Sequence, residues 1–236
     1  MPDLNESFTF QAIGVARSPF MEKFGVPRQP GLTPDIKSSI ILNKNYSANG
    51  IIDTIENASH IWLIFLFSQS YQKNWSPKIR PPRLGGNKKI GVLASRSPFR
   101  PNPIGISAVK LAGVTEREGR IKIDVLGADL IDNTPILDIK PYLPYSDCLT
   151  QAAHQTANSF TYLNQPLFFS TQAQDVCENY LLQHGEKISR SIEQILRCDP
   201  RPAYQKDIGR EYGTALYNLN IRWKISPDRI DVISII

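Results

Sequence analysis

The chain has 236 residues, is 41% hydrophobic and 21% charged, and carries a formal net charge of +5. That length holds one large β-rich domain, or one domain with a small appendage, and a mean hydropathy of -0.26 fits a soluble protein with an adequate core. The longest apolar run, Ile61–Phe67, is too short to span a membrane, and Met1–Asn5 lacks the pattern of a secretory leader, so a cytoplasmic location is expected. Cys148, Cys177 and Cys198, with His60, His154 and His184, are too scattered for a Cys-x-x-Cys pair or a metal cluster, and no metal is expected.

In chain order, Phe8–Val15, Ser39–Leu42, His60–Phe67, Ile90–Ser95, Ser107–Val114, Arg120–Leu126 and Ile136–Ile139 read as strands separated by turns. Arg120–Val125 alternates polar and apolar residues, as a strand with one wet face does. Ile61–Phe67 is apolar throughout and is expected in the middle of the sheet, buried on both sides, with Trp62 and Phe65 in the core and His60 bonded to backbone. Glu116–Arg120, around Gly119, is expected to turn a hairpin. Asp132 and Asn133 read as a turn. Many short strands with proline and glycine turns suggest a closed or nearly closed barrel, or a sandwich.

Arg96–Ser107 stands out. Pro98, Pro101 and Pro103 forbid a helix and remove backbone donors, and each pushes its predecessor toward an extended shape. The result is a stiff bridge presenting Arg96 and Arg100 between two strands, with little freedom left to lose on binding a planar or anionic ligand. Nine basic residues (Lys73, Lys78, Arg80, Arg83, Lys88, Lys89, Arg96, Arg100, Lys110) and no acidic one lie between Tyr71 and Lys110. Interleaved with Trp75, Gly85-Gly86 and prolines, this segment reads as a polyanion-binding surface, with a solvated basic face as the alternative.

The texture changes near Asp147, which places a boundary within 145–160 and divides the chain into residues 1–150 and 151–236. Ser170–Asp199 has helical periodicity in two pieces hinged at His184-Gly185 and is stopped by Asp199-Pro200. Ala215–Lys224 alternates as a strand, and Ile230–Ile235 is an apolar strand, open to pairing with a second copy or with a neighbour in the same chain. The expected fold is mainly β: a β-barrel N-terminal domain followed by a small α+β C-terminal domain.

Several motifs follow one another in a telling order. Gly14–Phe20 precedes Lys23–Gly31, then come Ser59-His60-Ile61-Trp62, Arg80–Asn87, the Arg96–Gly105 bridge, Asp129–Asp132 with Asp138–Tyr142, and finally Asp199–Tyr204. Together they resemble the TsaA-like family, and within it the bacterial TrmO-type tRNA methyltransferases. The resemblance implies a β-barrel enzyme using S-adenosyl-L-methionine as cofactor, working as a homodimer. The substrate it implies is threonylcarbamoyl-modified adenosine beside the anticodon of threonine tRNA, methylated on the exocyclic nitrogen. Consistent with this, the chain lacks the glycine-rich strand-to-helix turn of doubly wound methyltransferases.

The resemblance also implies a cofactor pocket built from Pro30, Gly31 and Leu32, from Ser68 and Gln69, from Arg96 and Ile106, and from Leu126, Gly127, Ala128 and Asp129. Arg96 would grip the cofactor carboxylate, Asp129 would bond ribose hydroxyls or the amino group, and Gly31 would permit close backbone approach. Ser68 stands where bacterial relatives tend to have histidine. Asp138 is the candidate proton acceptor, Lys140 a stabiliser of charge on the carbamoyl oxygen, and Tyr142 a platform for a splayed base. A structural ion pair for Asp138 and Lys140, and plain packing for Tyr142, are the alternatives. Arg80, Arg83, Lys88, Lys89 and Arg100 are candidates for anticodon-loop phosphates. In the tail, Arg201, Tyr204 and Arg222 are open to contact with the tRNA stem or a second subunit, and Asp199–Pro202 to a role as rigid connector. A non-catalytic RNA-binding barrel, or a methyltransferase of the same fold with another acceptor, are the competing functions.

Overall fold

A computed structural model describes residues 7–47, 50–71, 75–81, 89–154, 160–201 and 209–236. Strands β1 (Gly14–Arg17), β2 (Lys37–Leu42), β3 (His60–Leu66), β6 (Ile104–Arg117), β7 (Arg120–Leu126) and β8 (Pro135–Pro141) close into a barrel in the order β1-β2-β7-β6-β3-β8. Every pairing in it is antiparallel. Two short strands, β4 (Lys78–Ile79) and β5 (Ile90–Gly91), form a separate ladder beside it.

Period-2 patterning explains the barrel wall. Ile61, Leu63 and Phe65 of β3 point inward and are buried, with Ile121, Ile123 and Val125 of β7, while their sequence neighbours are half-buried on the outer face. Ile61–Phe67 is therefore central in the sheet, between β6 and β8, but wet on one side; Trp62 lies on the outer face, its Nε1 donating to Asp147 Oδ2 at 2.8 Å. The β6–β7 hairpin turns on Glu118 and Gly119, both with positive φ, as a two-residue turn of matching twist requires.

Three strand expectations are corrected. Phe8–Val15 is a strand only from Gly14, because β2 ends at Leu42 and no described strand pairs with the residues before it; Phe8 and Phe10 are exposed. Ile90–Ser95 pairs for two residues and then winds into a 3₁₀ turn over Val92–Ala94, stapled by Ser95 Oγ on Val92 O at 2.7 Å. Ala215–Lys224 is not one strand but the hairpin of β10 (Glu211–Leu216) and β11 (Leu219–Ile225), turning on Tyr217 and Asn218 with φ of 52° and 65°.

The remainder builds on a sheet ordered β10-β11-β12-β9, where β12 (Ile230–Ile235) runs parallel to β9 (Leu167–Phe169) and antiparallel to β11. Having a neighbour on each side, β12 is not an edge open to a second copy. A short helix α1 (Pro144–Asp147) follows the barrel. Helix α2 (Thr171–His184) starts at Ser170, whose Oγ accepts from Ala173 N, and ends at Gly185 in the left-handed region. Helix α3 (Ile188–Arg197) buries Ile188, Ile192, Ile195 and Leu196 against the sheet. Phe20 and Ile36, from the segment between β1 and β2, join this second core rather than the barrel's, and Phe20 bridges to Leu216.

Candidate active site

Where β3 leaves the barrel and β6 enters it, the wall opens into a cleft of about 370 Å³, a size suited to a small molecule. Four segments converge there: Lys23–Gln29 from the β1–β2 connection, Phe65–Ser70, the Arg96–Ser107 bridge, and Asp129–Thr134 after β7. Lys23 ties the first to the second, its Nζ donating to Gln69 O at 3.0 Å and to Ser70 Oγ at 3.1 Å.

The proline bridge is held by its own polar groups. Ser95 Oγ accepts from Ser97 N, Ser97 Oγ accepts from Phe99 N, and Arg100 donates to Ser95 O at 3.2 Å. Arg96 reaches across the cleft and donates to Gln29 Oε1. Gly105 lies against the barrel's aromatic plug: a Cβ there would run into the rings of Phe65 and Phe67, which meet edge to face at 5.1 Å between centroids.

One carboxylate, Asp129, lines the cleft among the cations Lys23, Arg28, Arg96 and Arg100. Asp129 is held by the buried Ser107, whose Oγ donates to Oδ1 at 2.6 Å. Burial pushes the Asp129 carboxyl above the usual carboxylate range, with Ser107 and the charge of Arg96 pulling back toward ionisation.

Of the residues assigned to the cofactor by resemblance, Ser68, Gln69, Arg96, Ile106 and Asp129 line this cleft together. Pro30, Gly31, Leu32, Leu126, Gly127 and Ala128 stand outside its lining. Ala128 is fully buried, and Leu126 pairs within the sheet with Lys37 and Lys110. Gly31 and Gly127, with φ of 78° and 75°, meet backbone to backbone, Gly31 N donating to Gly127 O at 2.8 Å. They brace the loop that carries Asp129.

Asp138, Lys140 and Tyr142 lie on or beyond the outer face of β8. Asp138 stands level with Ile64 and Ile106, two strand spacings (about 10 Å) from the latter. Its Oδ2 pairs with Lys140 Nζ at 2.8 Å. Tyr142 leans on Trp62, with ring centroids 5.5 Å apart. Asp132 and Asn133 do form a turn. His60 is exposed, its Nδ1 beside Ser59 Oγ, and its carbonyl accepts from Tyr142 N.

Among the candidate RNA contacts, Arg80 and Lys89 are exposed and Arg100 is half-buried, while Arg83 and Lys88 fall outside the described residues. Arg201 forms a two-pronged pair with Asp199, Arg222 pairs with Glu211, and Tyr204 also falls outside the description. Sequence reasoning missed Ser107, Gln29 and Lys23 as cleft residues. Ser107 closes the Arg96–Ser107 stretch and Lys23 opens the Lys23–Gly31 motif, but their partners, Asp129 and the Gln69–Ser70 segment, lie far along the chain.

The donor set fits S-adenosyl-L-methionine: a guanidinium for a carboxylate, a half-buried carboxylate for amino or hydroxyl hydrogens, and an apolar wall for an adenine and a thioether chain. The family model of the tRNA-methyltransferase O N-terminal domain matches residues 15–148, and that of the TrmO C-terminal domain matches 164–236. The chain belongs to the TrmO family. A TrmO relative from Escherichia coli, named tRNA (adenine(37)-N6)-methyltransferase, is 38% identical over 97% of this chain and 98% of its own. A Pyrococcus abyssi relative, named "Probable S-adenosyl-L-methionine-binding protein", is 41% identical over 58% of this chain and 70% of its own. The crystal structure of TrmO from Pseudomonas aeruginosa superposes with a TM-score of 0.81 at 34% identity, covering 98% of this chain and 99% of that one. The mainly-β fold with a closed barrel is thus the TrmO fold.

Proposed function

We propose that this S-adenosyl-L-methionine-dependent tRNA methyltransferase of the TrmO family methylates N6 of threonylcarbamoyl-modified adenosine at position 37 of threonine tRNA. The observation that carries the reading is the cleft in which Arg96 and the half-buried Asp129 share an apolar lining at the foot of a basic, proline-stiffened bridge.

When bound, the cofactor supplies a methyl group already activated on a sulfonium. The chain's part is to align, to exclude water and to manage one proton. Arg96, steadied by Gln29, holds the carboxylate end. Asp129, oriented by Ser107, accepts from the amino group or ribose hydroxyls. Phe65, Phe67, Ile104 and Ile106 keep the cleft's inner wall apolar.

The acceptor nitrogen is conjugated with a carbonyl and must shed its proton. Asp138 takes it at a carboxylate oxygen, and Lys140, 2.8 Å from Asp138 Oδ2, offsets negative charge on the carbamoyl oxygen. Tyr142 gives the loop a ring to rest on. Supporting this assignment is the shared row of Asp138, Ile64 and Ile106, which runs from β8 to the rim of the cleft.

The test is nucleoside mass analysis of tRNA from cells lacking the gene. Methylated threonylcarbamoyladenosine should vanish and return with the wild-type chain; an undiminished peak rejects the substrate.

A further inference from the structure

On the other side of the proline bridge lies a second cleft, about 640 Å³ in volume. Trp75 and Phe99 line it and are 49% and 42% exposed. Large aromatic rings left half in water beside a cavity lack the packing that retains such residues in a core. Arg80, Arg96 and Arg100 line the same cleft, and no carboxylate does so among the described residues. Its chemistry is therefore a π surface ringed by cations.

This cleft shares a wall with the first. Ser70, Arg96, Pro98 and Arg100 line both. The bridge between them is pinned by the Ser95, Ser97 and Arg100 hydrogen bonds, which hold Phe99 and Arg100 in place before any ligand arrives.

We propose that the second cleft binds one unstacked nucleotide of the tRNA anticodon loop, its base on Trp75 and Phe99 and its flanking phosphates on Arg80 and Arg100. Single-stranded RNA is the ligand class that unites both features, since each base offers a π face and each linkage a negative charge. An acidic peptide would use the arginines and leave the rings idle; an apolar peptide would do the reverse. This inference rests on the tRNA reading above and gives that reading a place for the acceptor strand, next to the wall shared with the donor cleft.

The experiment uses the full chain, a 17-nucleotide anticodon stem-loop RNA as probe, and S-adenosylhomocysteine as a reporter of the first cleft. Trp75→Leu and Phe99→Ala should each weaken stem-loop binding roughly 5- to 100-fold, leave S-adenosylhomocysteine affinity unchanged, and leave the far-UV spectrum intact. Trp75→Phe should keep most of the RNA affinity. Binding should quench tryptophan emission more strongly in the wild type than in Trp75→Phe, since Trp223 is fully buried and Trp75 is half exposed in the cleft. Arg80→Ala should reduce the salt slope of RNA binding by about one.

Unchanged stem-loop affinity in both ring variants, or equal affinity for a fully paired RNA of the same length, would overturn the pocket. If the wild type binds the stem-loop through Trp75 and Phe99 yet transfers no methyl to modified tRNA, the pocket stands and the catalytic reading falls.

Discussion

Ser107 Oγ donates to Asp129 Oδ1 at 2.6 Å and joins the start of β6 to the loop after β7, 22 residues along the chain. The serine is buried in the barrel mouth, and desolvation raises the pKa of the carboxylate it holds. Binding and stability therefore pull against each other at this pair.

Asp129→Asn is expected to raise the melting temperature at pH 7 while abolishing tight cofactor binding. The sign follows from the direction of the shift. A carboxyl whose folded pKa lies above its unfolded value favours folding most below the unfolded value, and that contribution is lost as pH rises through the folded one. Once ionised, the wild-type carboxylate carries a desolvated charge that the amide removes. Thermal melts of both proteins at pH 4 and pH 7 check this; a lower melting temperature for the variant at pH 7 would count against it.

Ser107→Ala removes the hydrogen bond that pulls the Asp129 carboxyl toward ionisation, so its pKa should rise further. The pH below which cofactor binding weakens should move upward with it. Titrating affinity against pH by calorimetry separates this from a structural effect, which would lower affinity equally at every pH.

Arg96→Ala should weaken S-adenosylhomocysteine binding by roughly 10- to 100-fold, the loss of about 1.5–3 kcal/mol for a hydrogen bond to a charged group. Arg96→Lys keeps the charge but loses the planar fork and should recover only part of the affinity. Equal affinity in the alanine variant would remove Arg96 from the cofactor's carboxylate.

Gly105→Ala places a methyl group against Phe65 Cζ and, at 2.9 Å, Phe67 Cζ. Phe65 is 3% exposed and has no room to retreat. Overpacking of this kind costs about 1–3 kcal/mol, and the displaced rings should distort the cleft. Urea unfolding and cofactor affinity should both deteriorate, in contrast to Gly113→Ala, where a Cβ meets nothing within 4 Å.

Phe20→Ala should destabilise the chain by about 3–5 kcal/mol, read as a lower urea midpoint. Phe20 is 1% exposed, yet its packing is with the helices and sheet of the C-terminal half. A loss below 1 kcal/mol would mean that this contact between the halves carries little energy.

Much of the fold was legible in local pattern. The alternation of Arg120–Leu126 and the turn around Gly119 placed β7 and its hairpin where they are found. The hinge at Gly185 and the stop near Asp199 likewise bounded both helices. The misses share a cause. Phe8–Ala12 has strand-like residues but no described partner strand, and Tyr217-Asn218 turns without a glycine because Asn tolerates a positive φ and a tyrosine is carried along with it.

The sequence by itself determined most of the barrel strands, the proline-rich bridge and the clustering of positive charge around it, because periodicity, ring-locked φ angles and charge are properties of neighbours along the chain. Of the eleven pocket residues that the resemblance implied, Ser68, Gln69, Arg96, Ile106 and Asp129 line one cleft. Only the tertiary structure decided that Ser107 would hold Asp129, that Gln29 would steady Arg96, that Phe20 would pack with residues nearly two hundred positions away, and that β12 would be enclosed. Those pairings follow from strand register and barrel closure, in which each strand's neighbour is chosen by the whole set of buried faces rather than by any segment alone.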